Sequence, residues 1–412
     1  MSMMSHSRRT FFAFLGIVMV LATSLWGCQA VDPIKIPLIT TAVPVDVAYE
    51  LPSYVLDSVD PGYFRLNEKH PTMKLTLGGI EYIVKAKTPA KIPDVSQSMP
   101  GKLLITPPSP ARELTFDLPP MPYDFDANTK PLELTLGNGR KYPLWGWGSS
   151  CSCIAPDTDT GEPSLITSGR LWPASVQVGK IGPPPQSTIA IFDSNLDGFY
   201  TTSEDGIVIA GSLTDRYHLV QPLSKYISIP PPTNGIFEIR NLAKDGSELT
   251  LLPYRGPTAS IEVAVPQKYE CMIILTSPDA GLTVAVSVEA GKSVAVIPGH
   301  YTILVALLFT TISPDAKPQD AMPQLFHISG VGMPALKVKA GEKQTLTLSG
   351  PKLLEFQAAM TDGKISIKPD TIHVKGQTGE TYVRVDDDGK NPPEVYLNVD
   401  GNSSLLGKME YG

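Results

Sequence analysis

Forty prolines are scattered along these 412 residues, about twice the usual ~5% share, and they narrow the folds open to the chain. Proline removes a backbone N–H and clashes with the preceding turn of a helix, so helices of ordinary length fit poorly between prolines this frequent. Short strands tolerate proline at their ends, on sheet edges and in the connecting turns. Apolar residues make up 42% and charged residues 18%, enough to build a core and too few charges for a disordered chain. The sequence therefore predicts an all-β protein. Its length exceeds one ordinary core and predicts several small β-sandwich or hairpin domains in series.

Strand and turn signals run along the whole chain. Residues 74–84 alternate apolar and polar positions about Gly78-Gly79, and residues 132–144 do the same about Asn138-Gly139, so both read as hairpins. They share Leu-Thr-Leu-Gly and then a tyrosine a few residues on, which marks them as a related pair in one N-terminal β domain, residues 51–169. Residues 107–122 are a proline-rich loop between them. A second β domain is expected over 170–256, where Thr188-Ile189-Ala190-Ile191-Phe192 is apolar on both faces and predicts a fully buried strand. Val/Ile-rich runs spaced about ten residues apart predict a β-sandwich over 257–350. Residues 351–412 are expected to form a last β domain or to complete that sandwich. Asp386, Asp387 and Asp388 read as a solvated loop, because consecutive side chains on a strand alternate faces.

One local constellation carries chemistry. Calcium takes six to eight oxygens, which a twelve-residue loop supplies from positions 1, 3, 5, 7, 9 and 12 around a glycine at position 6. Starting at Asp193, these positions are Asp193, Asn195, Asp197, the carbonyl of Phe199, Thr201 and Glu204, with Gly198 at the turn and Tyr200 as the apolar plug. Asp205 is an alternative last ligand. Apolar strands at 189–192 and 207–210 flank the loop in place of helices. With no second loop and no helix to open, the expected role of calcium is structural. Pro156-Asp157-Thr158-Asp159-Thr160-Gly161-Glu162 has incomplete spacing for a second ion and reads as a turn. The EF-hand-like loop between strands resembles a pattern found in uncharacterised secreted bacterial proteins, a resemblance that carries no activity.

The first 27 residues read as a targeting segment: Arg8 and Arg9, an apolar run over 11–25, then Leu25-Trp26-Gly27-Cys28. This resembles a bacterial lipoprotein signal, which implies cleavage before Cys28 and lipidation of Cys28. Trp26 departs from the small residue usual there. Ser7-Arg8-Arg9-Thr10-Phe11 also resembles the start of a twin-arginine export signal, with Phe12 and Ala13 departing from it. The implied location is the cell envelope, on the periplasmic or extracellular face of a bacterial membrane. Residues 28–50, with Pro33, Pro37 and Pro44, are expected to be an extended tether, or in part to add a strand to the first domain. Pro298-Gly299-His300-Tyr301-Thr302-Ile303 resembles a phrase of carboxypeptidase-regulatory-type domains, so the C-terminal part is expected to be immunoglobulin-like or carboxypeptidase-regulatory-like, a non-catalytic stalk.

In an oxidising compartment, Cys151, Cys153 and Cys271 allow one disulfide and leave one thiol, and the spacing does not choose the pair. Trp145 and Trp147, flanked by glycines, read either as caps on a core or as an aromatic platform for a sugar. The net charge of -7 argues against a nucleic-acid partner. No nucleophile elbow, zinc-protease helix or phosphate-binding loop is present, and the histidines are dispersed. The expectation is a non-enzymatic, membrane-anchored lipoprotein that scaffolds or binds another envelope component, a protein or polysaccharide. The alternative is a glycan-binding or glycan-active extracellular protein.

Overall fold

The structure is a computed structural model, and it describes residues 32–43, 62–87, 98–108, 112–119, 130–154, 163–202, 204–210, 220–230, 233–287, 293–310, 325–329, 333–351, 353–361, 364–367, 373–384, 394–399 and 402–408. The signal segment, Cys28, the turn at 156–162 and Asp386, Asp387 and Asp388 lie outside these residues. Among the described residues there is no helix, and the chain is all-β.

The N-terminal part forms one eight-stranded sheet. Thr72–Leu77 and Ile80–Ala86 pair as a hairpin, and Leu132–Thr135 pairs with Lys141–Ile154 as the other. Gly78, Gly79 and Gly139 sit at positive φ in the two turns, where side chains are strained. In Thr72–Leu77 the inward positions Leu75 and Leu77 are buried and their neighbours are not, the period-2 pattern read from the sequence. The core of this sheet collects Phe64, Leu77, Val84, Leu103, Ile105 and Leu144. Pro163–Pro173 runs back along Lys141–Ile154 and carries the chain into the next sheet.

Five strands form that next sheet, in the order Gln221–Pro222, Gly206–Ala210, Ser187–Phe192, Ser175–Ile181, Ile39–Ala42. Every residue of Ser187–Phe192 is buried. Ile189 and Ile191 enter one apolar cluster, Ala190 and Phe192 another, because protein covers both faces of the strand.

A twelve-stranded sheet runs from Ile34–Pro37 through Glu248–Pro253, Gly235–Leu242 and Tyr226–Ile229 to Leu282–Ser287, Tyr269–Ser277 and Gly299–Thr310, and on to strands after residue 325. The step from Tyr226–Ile229 to Leu282–Ser287 is parallel and one residue pair deep, Tyr226 with Leu282. The three-stranded sheet Val294–Val296, Ala259–Ala264, Lys343–Thr347 shares one core with it: Ile261 and Val296 join Ile273, Leu275, Val284 and Leu308. The two sheets share this core in a sandwich-like arrangement, and the larger sheet extends beyond residues 257–350 on both sides.

The stretch expected to be a tether contributes strands. Ile34–Pro37 pairs with residues 248–251, and Ile39–Ala42 pairs with residues 175–178. Ile36, Leu38 and Val43 are buried, so these residues alternate into the core while the prolines stay at strand ends.

Candidate metal centre

The 193–205 loop joins Ser187–Phe192 to Gly206–Ala210, which pair from Phe192–Gly206 down to Thr188–Ala210. The hairpin closes both ends of the loop where two interior strands of the five-stranded sheet end. Backbone geometry follows the residue types: Gly198 has φ 83° and Leu196 φ 56°. Positive φ suits glycine at the sharp turn and is costly at leucine, so packing must hold Leu196 there.

That packing comes from the two repeated hairpins. Leu196 is 1% exposed and belongs to the core of the eight-stranded sheet. Gly78 N–H donates to the carbonyl of Asp197 at 2.5 Å. A Cβ on Gly198 would stand 2.6 Å from Leu136 Cδ2 and 3.0 Å from the nitrogen of Gly78, and one on Gly137 would stand 2.3 Å from the oxygen of Gly78. The two Leu-Thr-Leu-Gly turns thus meet at their glycines, and the loop is seated on them with no room for a side chain at Gly198. On its other side Tyr200 is buried in the cluster with Ile189, Ile207 and Leu249, and its N–H donates to the carbonyl of Lys244 at 3.0 Å.

Two carboxylates organise the loop from within. Asp193 is fully buried: Oδ2 accepts from Tyr142 OH at 2.6 Å and Gly198 N–H at 2.7 Å, and Oδ1 from Asp197 N–H at 3.1 Å. Asp205, also buried, accepts from Ser194 N–H at 2.9 Å on Oδ1 and Thr201 N–H at 2.7 Å on Oδ2. Asn195 and Asp197 accept from Asp197 N–H and Phe199 N–H at 3.1 and 2.7 Å. Burial pushes the Asp193 carboxyl up to about 7, and the nearby Asp197 charge adds to this against the opposing hydrogen bonds. Burial and then the Asp193 charge push Asp205 up to about 8. Arg140 reaches the loop but donates to the carbonyls of Gly198 and Asp245, at 3.2 and 2.8 Å, rather than to a carboxylate.

Among the described residues, no three His, Cys, Asp or Glu side chains converge on one point as metal ligands. The donor chemistry nonetheless fits a hard cation. The loop side chains Asp193, Asn195, Asp197, Thr201 and Asp205 all carry oxygen donors. Among the described residues, no positive side chain pairs with either buried carboxyl, and Ser194 Oγ is buried without a hydrogen-bond partner. The predicted set divides. Asp193, Asn195, Asp197 and Phe199 lie on the turn held by Gly198, whereas Glu204 is exposed and accepts from Thr201 Oγ1 at 2.9 Å. The buried carboxyl at the C-terminal end is that of Asp205, because the chain enters a strand there instead of a helix. Tyr142 is the tyrosine that follows the second Leu-Thr-Leu-Gly, but nothing local links it to the loop, and its partnership with Asp193 is a tertiary contact.

The other candidate residues lie elsewhere. Trp145 and Trp147 are buried with Trp172, Val176 and Phe192, and Trp145 Nε1–H donates to the carbonyl of Val43 at 2.8 Å. Their rings cap a core and leave no open face for a sugar. Cys271 is not in a disulfide: it is a free thiol facing the sandwich core, where burial raises its pKa and suppresses reactivity. Cys151, on a different sheet, is disulfide-bonded, and the side chain of Cys153 lies outside the described residues. No protein-family model matches the chain, and comparison with curated proteins and with solved structures finds no similar protein.

Proposed function

We propose that this chain is a non-enzymatic cell-envelope lipoprotein, anchored through Cys28, which serves as a scaffold or binding module for another surface component and holds a structural calcium ion in the 193–205 loop. The observation that carries the calcium reading is the loop's position as a joint. Phe192, Leu196 and Tyr200 enter three separate apolar clusters within nine residues, around two buried carboxyls. When bound, the ion supplies the positive charge that lets both carboxyls ionise. Asp193 and Asp205 then hold the two ends of the loop, while Asn195, Asp197 and the Phe199 carbonyl complete the turn.

Extracellular sites of this class bind at roughly 10⁻⁴ to 10⁻³ M, so about millimolar calcium is worth about 1 kcal/mol. The expected result is a melting temperature that falls by a few degrees on adding EGTA. Asp193→Ala and Asp205→Asn should no longer respond, whereas Glu204→Gln should respond as the parent does. An EGTA-insensitive parent would remove calcium from the proposal. Lipidation is read separately, as a mass gain on an N-terminal peptide that begins at Cys28.

The pH dependence has a definite sign. Asp193 and Asp205 have folded pKa values near 7 and 8, above the unfolded value near 4, so folding takes up protons between those limits. Without calcium, stability should be greatest near the low end of that window and decline as pH rises through 7 to 8. Calcium binds the ionised forms, so its stabilising effect should be larger at pH 8 than at pH 5.5. Thermal melts at both pH values, with calcium and with EGTA, measure the difference; equal calcium effects would remove the buried carboxyls from the site.

A further inference from the structure

We infer that the end of the molecule where Ile34–Pro37 begins rests on the surface of a lipid bilayer, with the 193–205 loop directed away from it; this rests on the proposal that Cys28 carries the lipid. The fold grips the chain from Ile34 onward, since Ile34 pairs with Leu251. Only residues 29–33 separate it from Cys28. Six residue steps span about 20 Å at full extension. A lipid on Cys28 therefore keeps this end of the body within about 20 Å of the headgroups.

The topology says what lies at that end. Gly179 is packed against Ile36 and Leu38, so Ile34 lies beside the turn at 181–187 that follows Ser175–Ile181. Thr233 Oγ1 donates to the carbonyl of Ile181 at 3.3 Å and lies 3.3 Å from Ser187 Oγ, which brings Thr233 to the same place. The chain leaves this end as Pro253 and Tyr254, whose N–H donates to the carbonyl of Ile236. The exposed residues here include Pro33, Ile34, Pro183, Pro184, Pro185 and Gln186, with Lys180 and Arg255 flanking them. Asp32 is the acid here. The opposite end holds the 193–205 loop, where the exposed acids Glu204 and Asp245 stand beside Arg140 and Lys244. It stands about 17 Å away along the six residues of Ser187–Phe192. The attachment point therefore selects the orientation: the end that begins at Ile34 faces the headgroups and the loop end faces away.

The test uses the full lipidated protein in vesicles of phosphatidylethanolamine and phosphatidylglycerol that carry a headgroup-linked energy acceptor. A thiol-reactive donor dye is placed at Gln186→Cys or at Thr202→Cys; buried Cys271 does not compete. Transfer is expected to be roughly twofold or more stronger from position 186 than from 202, given the ~17 Å between the ends. A fifteen-residue glycine-serine insert after Gln29 should abolish the difference. Equal transfer, or stronger transfer from 202, overturns the orientation while a mass gain on Cys28 leaves the anchor intact. Absence of that mass gain overturns the anchor, and the orientation with it.

Discussion

Leu196→Ala should destabilise the protein by about 3 kcal/mol, in the middle of the ~2–5 kcal/mol range for truncated buried leucines. Leu196 is 1% exposed among Leu77, Leu136 and Leu171, and alanine inherits the same positive φ. The loss therefore reports the missing methyl groups and the cavity they leave, with no change in backbone strain. Three residues along, Phe199 is a control of similar apolarity. It is 37% exposed, and Phe199→Ala should stay within about 0.5–1 kcal/mol of the parent. Denaturant midpoints for the two variants test whether the loop is pinned to the eight-stranded sheet. Equal, small effects would mean that it is not. With its pin removed, Leu196→Ala should also respond less to calcium than the parent.

The second large effect is expected at Gly198. Alanine there meets a φ of 83° and places its Cβ 2.6 Å from Leu136 Cδ2. Left-handed backbone costs about 1–2 kcal/mol for a residue with a Cβ, and overpacking typically about 1–3 kcal/mol more, which predicts about 2–5 kcal/mol in total. Gly139 isolates the steric part. It has the same φ of 83°, and a Cβ there would meet no other atom within 4 Å, so Gly139→Ala should lose only the backbone share. Thermal or denaturant unfolding of the pair gives the difference. If the two substitutions cost the same, the loop does not sit on the Leu-Thr-Leu-Gly turns.

What could be read from the sequence was local. The burial of Ser187–Phe192 followed from the four apolar residues Ile189 to Phe192 in a row, the two hairpins from their glycine turns, and the loop from the spacing of Asp193, Asn195, Asp197 and Gly198. What escaped was set by partners distant in the chain. Ile34, Ile36 and Leu38 have the alternation of a strand, but among prolines that pattern suits a tether equally until residues 248–251 are seen beside it. Trp145 and Trp147 between glycines look the same whether they face a sugar or a core, and the carbonyl of Val43 on Trp145 decides it. Leu196 occupies a loop position where spacing rules ask for nothing, and only the neighbouring sheet explains a buried leucine there. Glu204 fits the twelve-residue template, yet a following strand turns it outward and leaves Asp205 inside.

The two N-terminal strands also impose an order of events on synthesis. Ile34–Pro37 and Ile39–Ala42 leave the ribosome early, but their partners at 175–178 and 248–251 follow much later. Neither seam can close until its partner has been made, the second only past residue 251, and a contact between such distant segments is slow to find. During that delay the nascent chain carries unpaired strand edges, the surface on which β proteins most readily associate wrongly.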